Sequence, residues 1–327
     1  MVLWVITILS VVVLEFSYAM RTEANITKNF QEELQLYGMA QGGIHRTIVE
    51  LIYKHDPRIQ QMRRTWKPEE VPPEEREWVT DGREYRLPFS QGDCSVRVMG
   101  EAGKINLNFV SERMLRRVLT NLGIEGEARE IIVDSILDWR DPDDFYRVNG
   151  AENDYYQSLP EPYECKNGNF DSLEELLLVR GVTSEIFYGK RSKAQEGEEG
   201  MSERPIGLKD VFSLYALGEQ IDINSASSTV LRVVLGMPPG IAAQVVMARE
   251  EKPFDSQQDL LLRVPELVPF MTDLGRLILY RAMVPFYTVE AKARGKGGGV
   301  RNIKAMVKVD PRQPSGYKII QWLDFTI

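Results

Sequence analysis

The sequence predicts an α+β chain: a long N-terminal helix packed on a small antiparallel sheet, with a large all-α repeat region inserted in that sheet. Three observations predict it. Residues 1–20 are almost uninterruptedly apolar and run without a break into a helical stripe, β-forming runs occur at both ends of the chain beyond that helix, and the stretch between them contains one helical pattern twice. The expected division is 1–20 for the membrane half of the helix and 21–103 for its remainder, a connector and the first strands. An inserted helical domain spans 104–285, with repeats at 104–189 and 205–285, and the closing strands occupy 286–327.

Val2, Leu3, Trp4, Val5, Ile6, Leu9 and Val13 head the apolar run, which only Thr7, Ser10 and Glu15 interrupt before Ser17. About 20 such residues cross the hydrocarbon layer of a bilayer as a helix. No Lys or Arg stands before Arg21, so the basic leader of a secretory signal peptide is missing and a membrane anchor is expected. The alternative is a cleaved signal followed by an unrelated helix. Phe30, Leu34, Tyr37, Gln41, Ile44, Ile48 and Leu51 then repeat at spacings of four and three, which lines one helical face. No proline intervenes before Asp56-Pro57, so one helix is expected to reach about His55, roughly 80 Å at 1.5 Å per residue. Half of it would lie in lipid and half against a folded domain.

A charged, proline-punctuated connector at 68–75 precedes two β-rich runs, Arg83 to Phe89 and Cys94 to Met99, with Gln91-Gly92-Asp93 as the turn. Three more runs, Phe286 to Ala291, Ile303 to Val309 and Tyr317 to Asp324, are separated by Arg294 to Gly299 and Pro311 to Gly316. Between the two groups lies the repeat. One copy has Ile105-Asn-Leu-Asn, Met114-Leu-Arg-Arg-Val-Leu, Leu122-Gly-Ile, a helix through Arg140, and Phe170-Asp-Ser. The other has Ile221-Asp-Ile-Asn, Val230-Leu-Arg-Val-Val-Leu, Gly236-Met-Pro-Pro-Gly, a helix through Arg249, and Phe254-Asp-Ser. Lys190 to Arg204 between the copies is charged and reads as a linker.

Such copies are similar to helix-hairpin-helix units, whose DNA-binding members offer hairpin N–H groups to phosphate. Here Pro238 and Pro239 remove two donors from one hairpin, and Glu125 and Glu127 flank the other. The net charge of −8 also argues against a general nucleic-acid binder. No nucleic-acid partner is expected.

Aligning the copies exposes an insertion, since residues 141–169 of the first stand where the second has only 250–253. Asp138, Asp141, Asp143 and Asp144 form one acidic cluster in it, and Glu152, Asn153 and Asp154 another. Carboxylate and amide oxygens in an irregular loop suit a hard cation such as calcium, which takes six to eight oxygens. The spacing is not that of an EF-hand, and a solvated acidic turn is the other reading. Cys94 and Cys165 set no metal-ligand spacing. Behind an exporting anchor the pair is expected to form a disulfide, the alternative being two buried thiols.

His45 and His55, the only histidines, are expected to be surface side chains. Gly295-Lys-Gly-Gly-Gly lies between strands and reads as a turn, not a phosphate loop. Nucleophile-elbow, zinc-protease and dinucleotide motifs are absent, so an enzyme is not expected. Paired carboxylates in the insertion leave a calcium-dependent hydrolase as a distant rival.

The apolar anchor continuing into a long helix resembles the type IV pilin-like proteins. Val5 stands where most of them carry glutamate, and Asp138-Trp-Arg-Asp-Pro-Asp followed by Gly150-Ala-Glu and Tyr155-Tyr is similar to the signature of the K-type minor pseudopilins of type II secretion systems. The resemblance implies maturation by a prepilin peptidase, with Met1 just after the cut. It implies a single-pass anchor in the bacterial inner membrane, a periplasmic soluble domain, and a non-enzymatic place at the pseudopilus tip. Partners would be the I- and J-type minor pseudopilins, with the major pseudopilin below. It also implies bound calcium, with Asp138, Asp141, Asp143, Glu152 and Asp154 as ligands. The rival from a different class is a minor pilin or DNA-uptake subunit.

Overall fold

The computed structural model describes residues 2–65, 78–190, 206–282 and 284–326. The expected connector at 68–75, and the linker at 190–204 apart from Lys190, lie outside them. The chain forms two compact units, one of Met1–Trp78, Arg83–Val98 and Tyr287–Ile327, the other of Val79–Gly82 and Met99–Phe286.

The first unit is built on helix α1, Val2–His55. Its apolar N-terminal half is exposed, Val2 at 74% and Leu3 at 79%, since no described residue covers it. Its C-terminal half buries Leu36, Met39, Ala40, Gly43, Ile44, Thr47, Ile48 and Leu51. Phe30 and Leu34, assigned to the same stripe from spacing alone, are exposed, so the buried face begins later than the periodicity implies. Pro57 then opens α2, Pro57–Thr65, where the Asp56 side chain accepts from the Arg58 backbone N–H at 2.8 Å.

Five strands form the sheet in the order β1 Asp81–Phe89, β2 Gly92–Gly100, β3 Phe286–Gly295, β4 Val300–Val309 and β5 Tyr317–Thr326. Strands β4 and β5 pair antiparallel, with an irregularity at Met306/Val307. Alternate residues point to one face. Cys94, Val96 and Val98, then Val289, Ala291 and Ala293, then Ile303, Ala305 and Val307 therefore bury against α1 in one core. Gly43 permits the close approach, since a Cβ there would lie 2.8 Å from Cys94 Sγ and 3.0 Å from Val96 Cγ2. His55 is not a free surface side chain as expected, because its Nε2 lies 2.7 Å from the Tyr287 hydroxyl. His45 is exposed.

Most of the second unit lies in the sequence between β2 and β3, and its duplication extends to single hydrogen bonds. In the first copy α3 is Glu112–Asn121 and α4 is Gly126–Arg140; a short α5, Asn153–Gln157, belongs to the insertion. The second copy has α6, Ser228–Val233, α7, Pro239–Glu251, and α8, Gln257–Arg263. Ser111 caps α3 and Ser227 caps α6. Asn108 accepts from the Phe170 N–H at 2.8 Å and donates to its carbonyl at 3.1 Å, and Asn224 holds Phe254 likewise at 2.7 and 2.9 Å. Arg140 donates to the carbonyls of Leu107 and Val110, and Arg249 to those of Ile223 and Ala226. Short parallel bridges complete the copies, Ile105 with Phe212 in one and Ile221 with Ile278 in the other. One continuous core fills the unit, from Leu107, Leu115 and Ile136 to Val230, Val245 and Phe254.

Candidate functional site

Helix α4 ends in Asp138-Trp139-Arg140, with Asp141 as its extended C-cap, and successive side chains of a helix point about 100° apart. Trp139 enters the core, where its ring meets Tyr156 edge-on at 5.2 Å and stacks on Phe170 at 6.4 Å. Arg140 ties the helix to its own repeat. Asp138 and Asp141 are left facing the insertion, Asp138 fully buried.

The insertion folds back over these two carboxylates. Asp138 accepts from the Arg147 backbone N–H, and the Arg147 guanidinium reaches Asp138 at 2.5 Å and Asp141 at 2.7 Å. Gly150 is obligatory here, since a Cβ would fall 1.8 Å from Asp138 Oδ2. Asn149 donates twice to Asp134, and Asp144 gathers Asn153 and Asn167 at 3.0 and 2.8 Å. The Cys165 backbone N–H is held by Asn153 at 2.8 Å. Every one of these loop contacts is polar, which is why hydrophobic periodicity fails to reveal the fold of the segment.

Glu152 is the anomaly. It is 1% exposed, and neither carboxylate oxygen has a hydrogen-bond partner of ordinary geometry. Burial pushes its carboxyl up to about 7, the charges of Asp138, Asp141 and Asp144 add to the shift, and the neighbouring Cys165 thiol opposes it. Asp141 Oδ1 and Asn167 Oδ1 are also buried without partners. Burial likewise raises Asp138, although the bonds from Arg147 oppose it. A buried acceptor without a donor costs about 1–3 kcal/mol, more if charged, so these oxygens are left in want of a donor or a positive charge.

Of the expected ligands, Asp138, Asp141 and Glu152 are turned inward, near enough for the charges of the two aspartates to act on Glu152. Asp143 and Asp154 are exposed, and Asp143 accepts from the Phe145 N–H at 3.0 Å. Among the described residues no three His, Cys, Asp or Glu side chains converge as a metal ion would require. Arg147 supplies positive charge between Asp138 and Asp141, where the sequence pointed to a cation alone. Its part was hidden in the sequence because only the fold of the loop turns it inward. Asn167 was hidden too, although its left-handed backbone at φ 46° marks a constrained turn.

The disulfide expected between Cys94 and Cys165 is not formed. Both are free thiols, Cys94 in the core of the sheet unit and Cys165 in that of the helical unit. Burial raises each to about 12.

A single apolar-headed helix, a five-stranded sheet on its second half and a duplicated helical unit between β2 and β3 define an α+β protein with a large helical insertion in its sheet. Comparison with known proteins shows what the chain is similar to. Residues 103–189 match the family model described as type II secretion system (T2SS), protein K, and residues 218–271 match a helix-hairpin-helix motif. Type II secretion system protein K of Pectobacterium carotovorum is 28% identical over 34% of this chain and 38% of its own length. That of Pseudomonas aeruginosa is 26% identical over 54% and 50%. A putative one of Escherichia coli K12 is 37% identical over 21% of each. The chain thus spans about half the length of these curated relatives or less. In fold it is similar to a chain in the crystal structure of the GspK-GspI-GspJ complex from the type 2 secretion system of enterotoxigenic Escherichia coli, with TM-score 0.55, 15% identity, and 92% and 99% of the two chains covered. These matches bear out the resemblance drawn from the anchor and the acidic signature: the chain is similar to type II secretion system K proteins.

Proposed function

We propose that this protein is a non-enzymatic minor pseudopilin of a type II secretion system, anchored in the inner membrane through residues 2–20 with its folded units in the periplasm. The observation that carries the reading is α1. One unbroken helix has an apolar half that no described residue covers and a second half that is the spine of a sheet, so the anchor is continuous with the folded unit. The duplicated helical unit is bulk that every subunit of a repeating filament shaft would have to accommodate. That favours a position at the filament tip, beside I- and J-type minor pseudopilins and above the major one. Its work there is to start or cap assembly, by templating and without bond chemistry.

Calcium belongs to the proposal. Glu152, Asp141 and Asn167 offer the unpartnered oxygens that a hard cation would use, with Asp138 beside them. A bound cation would neutralise Glu152 and fasten the insertion to the end of α4. It would supply structural charge only. Trp139 lies in the core at the end of that helix, so terbium luminescence sensitised by it is a direct probe. Emission that calcium displaces is expected, and its loss in Asp141→Asn and Glu152→Gln. No displaceable emission from the intact protein would refute the calcium assignment.

The helix-hairpin-helix match favours DNA binding as a second reading, but the second hairpin presents Pro238 as the cap and Pro239 as the first residue of α7, neither with an N–H to offer. Mild cross-linking in the native membrane, followed by mass spectrometry, separates the two. Stoichiometric recovery of other minor pseudopilins is expected. DNA-uptake components, or no pilin-like partner, would overturn the assignment.

A further inference from the structure

The helical unit holds a second feature that neither the anchor nor the acidic insertion uses. A cleft of about 340 Å³ runs along α3 and is lined by Arg113, Arg116, Arg117, Glu219 and Arg276, among others. These arginines are not equivalent. Arg116 is neutralised by Glu112 and Glu130. Arg113 and Arg276 are exposed, and among the described residues neither has an ion-pair partner. Arg117 is half-buried, and one nitrogen donates to the Leu235 carbonyl at 2.6 Å, which fixes its planar head. Burial holds Arg117 below its usual range, Asp273 opposes, and the charges of Arg113 and Arg276 press it lower still. The one carboxylate lining the cleft, Glu219, is occupied, accepting from the Ser111 N–H at 2.6 Å.

Three guanidinium groups that repel one another around a concave site are a receptor for an anion, since an incoming carboxylate removes the repulsion and can take parallel hydrogen bonds from a planar fork. The surroundings decide which anion. Glu112, Glu130 and Asp273 stand around the site, and the positive charge is confined to the cleft. A nucleic-acid backbone needs a continuous basic track and would meet these carboxylates. A single acidic side chain reaching into the cleft would not.

We propose that the Arg113–Arg117–Arg276 cleft binds the carboxylate side chains of an acidic segment on a partner protein. The cleft stands whether or not the secretion assignment does, so the two fail separately. The test uses the full chain in detergent and a short fluorescein-labelled peptide of alternating glutamate and glycine, followed by anisotropy at low salt. Binding is expected, with affinity falling as salt rises and weakening at least about tenfold in Arg113→Glu and again in Arg276→Glu, in line with the loss of a charge-assisted hydrogen bond. Both residues are exposed, so these variants should keep the wild-type circular dichroism, and the milder Arg276→Ala serves if one does not. A matching lysine–glycine peptide should bind the double Glu variant in preference to the wild type. No binding of the glutamate peptide, binding that ignores both substitutions, or tighter capture of duplex DNA or inorganic phosphate by the same arginines would overturn the proposal.

Discussion

Glu152 is a carboxyl group that the folded chain prefers protonated. Its usual value of 4.5 rises to about 7, so between those values the native state holds more protons than the unfolded one. Stability is therefore greatest below about pH 4.5 for this group and falls as pH rises, levelling off above about 7. The span is on the order of 3 kcal/mol. Glu152→Gln should raise the melting temperature of calcium-free protein at pH 8 and leave it nearly unchanged at pH 4, as scanning calorimetry in chelator would show. A variant that destabilises at pH 8 would mean that Glu152 has a partner when calcium is absent. The two cysteines give a second expectation at this scale. Both are buried and their thiols are raised to about 12. Native protein should resist a thiol reagent until unfolded, and reductant should not shift its melting. A disulfide was expected from compartment and from there being two cysteines. Neither fact carries information about which core each would enter.

At the scale of elements, the asparagines that close the two copies test whether the duplication is energetic as well as geometric. Asn108 satisfies the N–H and carbonyl of Phe170, while Asn224 satisfies those of Phe254 and also the Tyr280 carbonyl at 2.6 Å. Leaving buried backbone groups without partners costs about 1–3 kcal/mol. Asn108→Ala should cost that much in urea denaturation, and Asn224→Ala should cost more; equal or negligible losses would show water replacing the amide. These residues are legible in the sequence as Ile-Asn-Leu-Asn and Ile-Asp-Ile-Asn, because duplication displays the positions that both copies keep. The long helix is legible for a different reason, the absence of proline over fifty residues of apolar spacing. Its buried stretch is not, since Phe30 and Leu34 satisfy the same period as Ile44 and Ile48 and only the length of the sheet decides which are covered. The strands are readable from β-formers to within a few residues, β3 running on to Gly295 past the expected break at Arg294. Period says nothing about a loop held by side-chain to backbone bonds, so the roles of Arg147 and Asn167 emerge only from the structure. The arginine cleft is hidden in another way, its members coming from positions 113, 117 and 276.

For the whole molecule, the decisive fact is that the described residues form two cores. One joins Ile44, Val96, Val289 and Val307, the other Leu115, Trp139, Val230 and Phe254. Each unit therefore has its own source of cooperativity, and a ligand held within one stabilises that one by an amount set by its concentration relative to its dissociation constant. The unpartnered oxygens of Glu152, Asp141 and Asn167 all belong to the helical unit. Calorimetry of the full chain in detergent should resolve two transitions, and added calcium should move one upward while leaving the other in place. Asp141→Asn should abolish the movement. Gly43→Val identifies the transitions, because its side chain would collide with Cys94 and Val96 and must depress the sheet unit's melting alone. If calcium instead moves the transition that Gly43→Val lowers, the cation acts on the sheet unit, and the assignment of the acidic insertion fails.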